Sequence, residues 1–233
     1  GKIRYGVSVT ISRYRNEIMK LSEDVEEYIE AGSERQMSYT RATVGTAFPE
    51  FYGYTVDGIF QTAADTVGYP KAFGTEYNQP GHYKYRDING RDSVGNLTGV
   101  PDGVIDEDDR DYIGSPHPDF TGGLNIDLAY GDIDFNMFFY GSYGNEMVNY
   151  VRRWIDYGMF NGGRSHESLY ETWGSPYLES NEDATLPMSD QEQNSQLPST
   201  AFIEDASFLR LKSVTGRRPR ESVPHPQSRW QWW

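Results

Sequence analysis

The 233-residue chain contains no cysteine. Disulfides and thiolate metal sites are therefore excluded. No run of about 18 apolar residues occurs, so no membrane-crossing helix is expected. No signal peptide is visible at Gly1. Positive charge is scarce: 21 Lys and Arg against 35 Asp and Glu give a formal net charge of −14. Phosphate binding needs a positive field, and no basic stripe precedes the last few residues, so nucleic acid is not an expected partner. His82, His117, His166 and His225 are scattered and form no paired zinc motif. Nucleophile-elbow, phosphate-loop and dinucleotide fingerprints are missing. Carboxylates abound, but an acidic surface accounts for them without a glycosidase. The chain is not read as an enzyme, and no catalytic or cofactor-binding residue is assigned. Asn96-Leu97-Thr98 matches a glycosylation sequon, a reading that needs a eukaryotic secretory setting.

Aromatics and glycine are plentiful, with 18 Tyr, 11 Phe and 24 Gly, a composition that suits sheets and long loops. The first segment alternates: Ile3, Tyr5, Val7, Val9 and Ile11 share one face, and Lys2, Arg4, Gly6, Ser8, Thr10 and Ser12 the other. Its length suits a tilted bilayer-crossing strand of about 9–11 residues. Leu124, Ile126, Leu128 and Tyr130 alternate likewise, as do Ile133, Phe135, Met137 and Phe139. Gly131-Asp132 between them reads as the tight turn of a hairpin. A fourth strand is expected from Phe202 to Val214.

Alternation alone fits a soluble sandwich equally well. Loop lengths favour the membrane. One turn is minimal, while the segments Asn16–Thr121 and Gly141–Ala201 are very long. Short turns on one side and long loops on the other characterise outer-membrane barrels; a compact sandwich rarely carries such connections. The fold class expected is all-β: antiparallel strands of a partial transmembrane β-barrel, with long extracellular loops containing short helices. Within those loops, Met147, Val148, Val151, Trp154, Ile155 and Met159 have helical spacing between Asn145 and Phe160. Ser165–Trp173 reads as a second helix capped by Ser165. Tyr69–Gly81 and Ser175–Ser199 read as irregular surface loop. The end of the chain turns basic and proline-rich and loses alternation. The organisation expected is thus a barrel part over residues 1–215 and an aberrant or disordered tail over 216–233.

The acidic stretch Asp87–Gly114 has oxygen side chains spaced like a split calcium loop. An EF-type loop places ligands at positions 1, 3, 5, 7, 9 and 12, with Gly at 6. Asp87 and Asn89 fit positions 1 and 3. Asp102, Gly103, the Val104 carbonyl, Asp106 and Asp109 then fit 5, 6, 7, 9 and 12, with Arg91–Val100 and Pro101 as an insertion. Ile105 takes the apolar anchoring slot, and Asp92, Asp108 and Asp111 are expected to face water. Hard oxygen donors suit calcium, and Asp109, shorter than the usual Glu, binds through one oxygen in this reading. Calcium holding the loop rigid is favoured over a solvated acidic loop.

Four stretches carry a family resemblance: GTAFPEFYGYTVDGIFQT (Gly45–Thr62), GHYKYRDING (Gly81–Gly90), the run Asp102–Asn145 that begins DGVIDEDDRDYIG, and FIEDASFLRLKSVT (Phe202–Thr215). With SRYRNEIMKL (Ser12–Leu21) they resemble, in order, the C-terminal barrel part of SusC/RagA-type TonB-linked outer-membrane proteins of Bacteroidetes. The resemblance runs from about Gly1 to Thr215. It implies a barrel of about 22 strands closed by an N-terminal plug. It implies import of glycans or peptides with a SusD-like surface lipoprotein, driven through the TonB complex, at the cell outer membrane. The calcium loop would lie outside. The sequence departs from the family in showing no plug, no TonB box and an Arg/Pro-rich tail, so it reads as a fragment, truncated or frame-shifted, whose few strands cannot close a barrel. Tyr52, Tyr54, Trp154 and Trp173 are candidate ligand contacts, each equally well read as packing. The alternative function is a secreted calcium-stabilised β-rich binding or adhesion module. The two differ over Val7, Val9, Ile126, Leu128, Phe135 and Met137, which face lipid in a receptor and a dry core in a module.

Overall fold

The computed structural model describes residues 2–22, 28–34, 37–73, 77–157, 162–189 and 197–217. In chain order the strands are β1 (Ile3–Ser12), β2 (Tyr28–Glu34), β3 (Met37–Thr43), β4 (Glu50–Gly53), β5 (Val56–Ile59), β6 (Lys71–Ala72), β7 (Tyr83–Tyr85), β8 (Val104–Ile105), β9 (Asp111–Gly114), β10 (Phe120–Tyr130), β11 (Ile133–Tyr143), β12 (Glu146–Val148), β13 (Ile203–Asp205) and β14 (Phe208–Arg217). Two short helices, α1 (Arg152–Ile155) and α2 (His166–Tyr170), lie between β12 and β13. The chain divides into two compact units. One holds residues 1–14, 119–143 and the chain from 207; the other holds 15–118 and 144–206.

The first unit is a four-stranded antiparallel sheet in the order β1-β10-β11-β14. Directly opposed residues share a face, so the register decides what each face contains. Val7 pairs with Ile126 and Val9 with Leu124. Ile126 pairs in turn with Met137, Leu128 with Phe135, and Leu124 with Phe139. The expected hairpin is present, with Gly131 at φ +58°, a left-handed conformation that glycine adopts at no steric cost.

β14 differs from the expected fourth strand. That strand was to run unbroken from Phe202, but Phe202 sits in a short 3-10 turn, β13 is separate, and Ala206 N donates to Asn145 O. β14 also carries a bulge: Phe139 faces Leu211 while Phe138 faces Ser213, leaving Lys212 extra. The extra residue shifts the side-chain alternation by one. Leu209 and Leu211 before it, and Val214 after it, therefore share the face of Phe139 and Met137.

The second unit is richer in strands than loops with short helices would be. It contains a sheet β2-β3-β4-β9, the pairs β5-β7 and β12-β13, and a parallel contact β6-β8. Its core is aromatic: Tyr39, Tyr54, Tyr77, Tyr83, Tyr85, Tyr157 and Phe202 are buried together. The Tyr83 and Tyr157 hydroxyls meet at 2.7 Å, which gives each buried phenol a partner. Burial holds both phenols in the neutral form, far above their ordinary pKa. Segment 197–202 threads past β4: Tyr54 N donates to Pro198 O, and Thr200 N donates to Tyr54 O. Gly53 permits this approach, because a Cβ there would lie 2.3 Å from Pro198 O.

The long helix expected between Asn145 and Phe160 is replaced by β12, a turn and the four-residue α1. Pairing of β12 with β13 outweighs the helical spacing, and Met147 and Val151 stay exposed rather than forming a buried stripe. Residues 158–161 lie outside the described residues. The second helix is as expected, with Ser165 Oγ accepting from Ser168 N. Of Tyr69–Gly81 and Ser175–Ser199, residues 74–76 and 190–196 lie outside the described residues; the first range carries β6, and Tyr77, Leu186 and Ser199 are buried, so the described parts are not only surface loop. Of the tail, residues 218–233 lie outside the described residues, and β14 reaches Arg217.

Candidate functional site

Two features bear on function: the apolar face of the four-stranded sheet and the acidic loop. On the sheet, Val7, Val9 and Ile11 are 62%, 64% and 73% exposed, and Leu209 is 78% exposed. Aromatics bracket this aliphatic band. Phe120 and Tyr143 stack at one end, centroids 5.3 Å apart, and Tyr5 and Tyr130 stand toward the other. Between Phe120 and Tyr130 the strand rises about 34 Å. At the tilt of barrel strands this is about 25 Å, the height of a barrel's lipid-facing band between its aromatic girdles. The opposite face is polar. Asn136 Nδ2 donates to Asn125 Oδ1 at 2.9 Å and Asp127 Oδ1 at 2.8 Å, and Asn125 Nδ2 donates to Asp127 Oδ2 at 2.6 Å. The chain leaves for its long segments from one end of the sheet, at Ser12, Phe120, Tyr143 and Phe208; the other end holds the two-residue turn.

The six residues expected to bind calcium lie in one loop, and side-chain oxygens of five of them, Asp87, Asn89, Asp102, Asp106 and Asp109, accept backbone N–H groups. Asp109 is 1% exposed. Its Oδ1 accepts from Ile88 N and Asn89 N at 2.8 and 3.0 Å, and its Oδ2 from Asp106 N at 2.9 Å. Burial pushes its pKa above the ordinary carboxylate value, the three N–H groups pull it back, and the nearby Asp87 charge adds to the rise. Asp87 accepts from Asp102 N and Gly103 N, Asp102 from Val104 N, and Asp106 from Asp108 N. Asn89 Oδ1 accepts from Gly90 N and Gly99 N. Val104 lies beside Lys71 in the β6-β8 contact, with Ile105 fully buried as the anchor. Among the described residues no group of three or more His, Asp or Glu side chains is gathered to hold a metal ion. Backbone N–H donors hold these side chains in the loop. Asp92 and Asp111 are exposed as expected, whereas Asp108 is partly buried and paired with Arg91 at 2.5 Å.

Of the candidate ligand aromatics, Tyr52 and Tyr54 are buried, 8% and 3% exposed, and serve packing. Trp173 Nε1 donates to Gln61 Oε1 at 2.9 Å, and Trp154 meets Tyr150 edge-on. One cluster has no counterpart in the sequence reading. Arg41 and Arg110 both lie over the Tyr52 ring, at 3.7 and 4.9 Å, and both reach Glu30 Oε1. The only sequence hint is Arg110 itself, a cation directly after an acidic run.

Comparison with known proteins adds the following. The chain is 29% identical over 215 residues to TonB-dependent receptor P3 of Formosa agariphila, covering 91% of this chain and 19% of that protein. TonB-dependent receptor P26 of the same organism is 30% identical over 177 residues, covering 75% and 16%. The fold matches the RagAB peptide transporter with a TM-score of 0.60 at 20% identity, over 91% of this chain and 20% of that one. The RagAB peptide importer in its closed-closed state matches with a TM-score of 0.60 at 22% identity, with the same coverage. No protein-family model matches. The chain spans about a fifth of the length of these relatives.

Proposed function

We propose, for a chain that belongs with the SusC/RagA-like TonB-dependent receptors, that it forms part of an outer-membrane importer of glycans or peptides. The observation that carries this reading is the register of the four-stranded sheet, bulge included, which gathers the apolar side chains on one exposed, aromatic-bracketed face. Such a face is stable against hydrocarbon and unfavourable against water. β1 and β14 are the outer strands of the sheet. In this reading strands from the rest of the receptor pair with them, since a barrel leaves no open edge. The long segments and the acidic loop then lie extracellularly, where a SusD-like lipoprotein would meet them. The TonB complex would act through the receptor's N-terminal region. The chain has no enzymatic role in this account.

A secreted module would require the same apolar residues in a dry core; Val7, Val9 and Leu128 are exposed and Ile126, Phe135 and Met137 half-buried, which argues against it. Membrane fractionation tests the importer reading. The receptor carrying this segment should pellet with outer membranes and need detergent for release; recovery as a soluble monomer would overturn the proposal.

Calcium binding by Asp87, Asn89, Asp102, the Val104 carbonyl, Asp106 and Asp109 is a separate proposal, supported by the residue types and their order. The N–H bonds support a loop that also holds without the ion. If calcium occupies it, adding calcium raises the thermal midpoint by several degrees and a chelator reverses the gain. An unchanged midpoint in both would defeat this proposal.

A further inference from the structure

A guanidinium carries five N–H donors and keeps its charge at any physiological pH. The Arg110 side chain is only 14% exposed, and its bonds are few and long. Nη1 donates to Glu30 Oε1 at 3.4 Å and Nη2 to Ser38 O at 3.5 Å. Its Nε–H is buried without an acceptor. Hydrogen bonds of this length are weak, and a buried cation with unmet donors is costly. Tyr52 fixes the group from below, with its hydroxyl donating to Arg110 O at 2.8 Å and its ring under the guanidinium. Arg41 shares both the ring and the Glu30 oxygen. A cavity of about 370 Å³ opens here, lined by Arg41, Tyr52 and Arg110 and by Asn89, Leu97 and Gly99 of the acidic loop.

We propose that this cavity binds a carboxylate group of the imported ligand, which takes the Nη donors of Arg110 and Arg41 in place of Glu30. Glu30 marks the chemistry: one carboxylate oxygen already meets both guanidiniums, Arg41 at an ordinary 3.2 Å and Arg110 at a long 3.4 Å that a better-placed carboxylate would improve on. A planar carboxylate matches the guanidinium fork. A dianion fits less well, because Asp111 also lines the cavity and the chain as a whole is strongly negative. Tyr52 supplies an apolar floor, and Asn89 offers a polar wall for the rest of the ligand. The acidic loop gains a role, since the bond from Asn89 N to Asp109, next to Arg110 in the chain, ties two of the cavity's lining residues together.

The ligand's arrival rests on the importer reading, but binding itself needs no transport. Detergent-purified receptor is titrated calorimetrically with N-acetyl-dialanine and glucuronic acid, each against its amide. The acid is expected to bind at least about tenfold more tightly than its amide, and which acid binds separates a peptide from a uronic-acid source. Arg110→Met should abolish the difference. Glu30→Gln should tighten acid binding severalfold, a gain that misfolding cannot produce. Equal binding of acid and amide, no acid binding even in Glu30→Gln, or Glu30→Gln binding no tighter than wild type would each overturn the proposal. Failure of the importer reading would appear separately, as absence from outer membranes.

Discussion

Two aspartates of the acidic region titrate in opposite directions. Asp92, fully exposed, is held below its ordinary pKa of 3.8 mainly by its bond from Asn96 N. A depressed folded-state pKa means that the stabilisation is complete above the unfolded value and is lost as pH falls through the folded one. The protection factors of the Val94 and Asn96 amides should therefore fall as pH drops below about 3.8, and in Asp92→Ala they should already be low at neutral pH. For Asp109 the sign is reversed, because burial raises its pKa. Its contribution is greatest below the unfolded value and falls as pH rises through the folded one. The three N–H bonds offset part of that rise. Asp109→Asn turns an amide N–H toward one of those donors and should cost about 1–3 kcal/mol, read as a lower denaturant midpoint. Gly90→Ala belongs with these: its Cβ would lie 2.6 Å from Asp102 Cβ, so the loop must open, and Asn89 with it.

Among the elements, the bulge in β14 makes a sharp prediction. Lys212 is the extra residue, so deleting it leaves a regular strand with Leu209, Leu211 and Val214 still on the apolar face. That deletion should preserve assembly into outer membranes. Deleting Asn125 from the unbulged β10 turns half the strand over, sending Asp127 toward the apolar side, and assembly should be lost. In the second unit, Phe202→Ala removes a side chain with no exposure and should cost about 3–5 kcal/mol. The same scale explains what could be read from the sequence. β1, β10 and β11 were legible because long strands with one apolar face alternate cleanly. The strands of the second unit are two to seven residues long, too short to display a period and packed among aromatics. The run from Met147 to Ile155 misled because a strand, a turn and one helical turn can together reproduce helical spacing. The oxygen spacing of the acidic loop was legible, but a carboxylate accepts N–H groups as readily as it binds a cation. The pairing of Arg110 with Glu30, 80 residues apart, left no local signature.

At the scale of the whole molecule, the account depends on where the apolar face of the sheet lies. The chain has no native cysteine, so single cysteines placed in it meet no competing thiol from this segment. Nitroxide labels at Val7, Ile126 and Met137 are compared in outer membranes with labels at Ser8, Asn125 and Asn136. The account predicts that the first three relax with lipid-dissolved oxygen and are shielded from a water-soluble nickel chelate, while the second three respond to the chelate. Equal accessibility in the two sets, or Val7, Ile126 and Met137 shielded from both reagents as in a dry core, would contradict it.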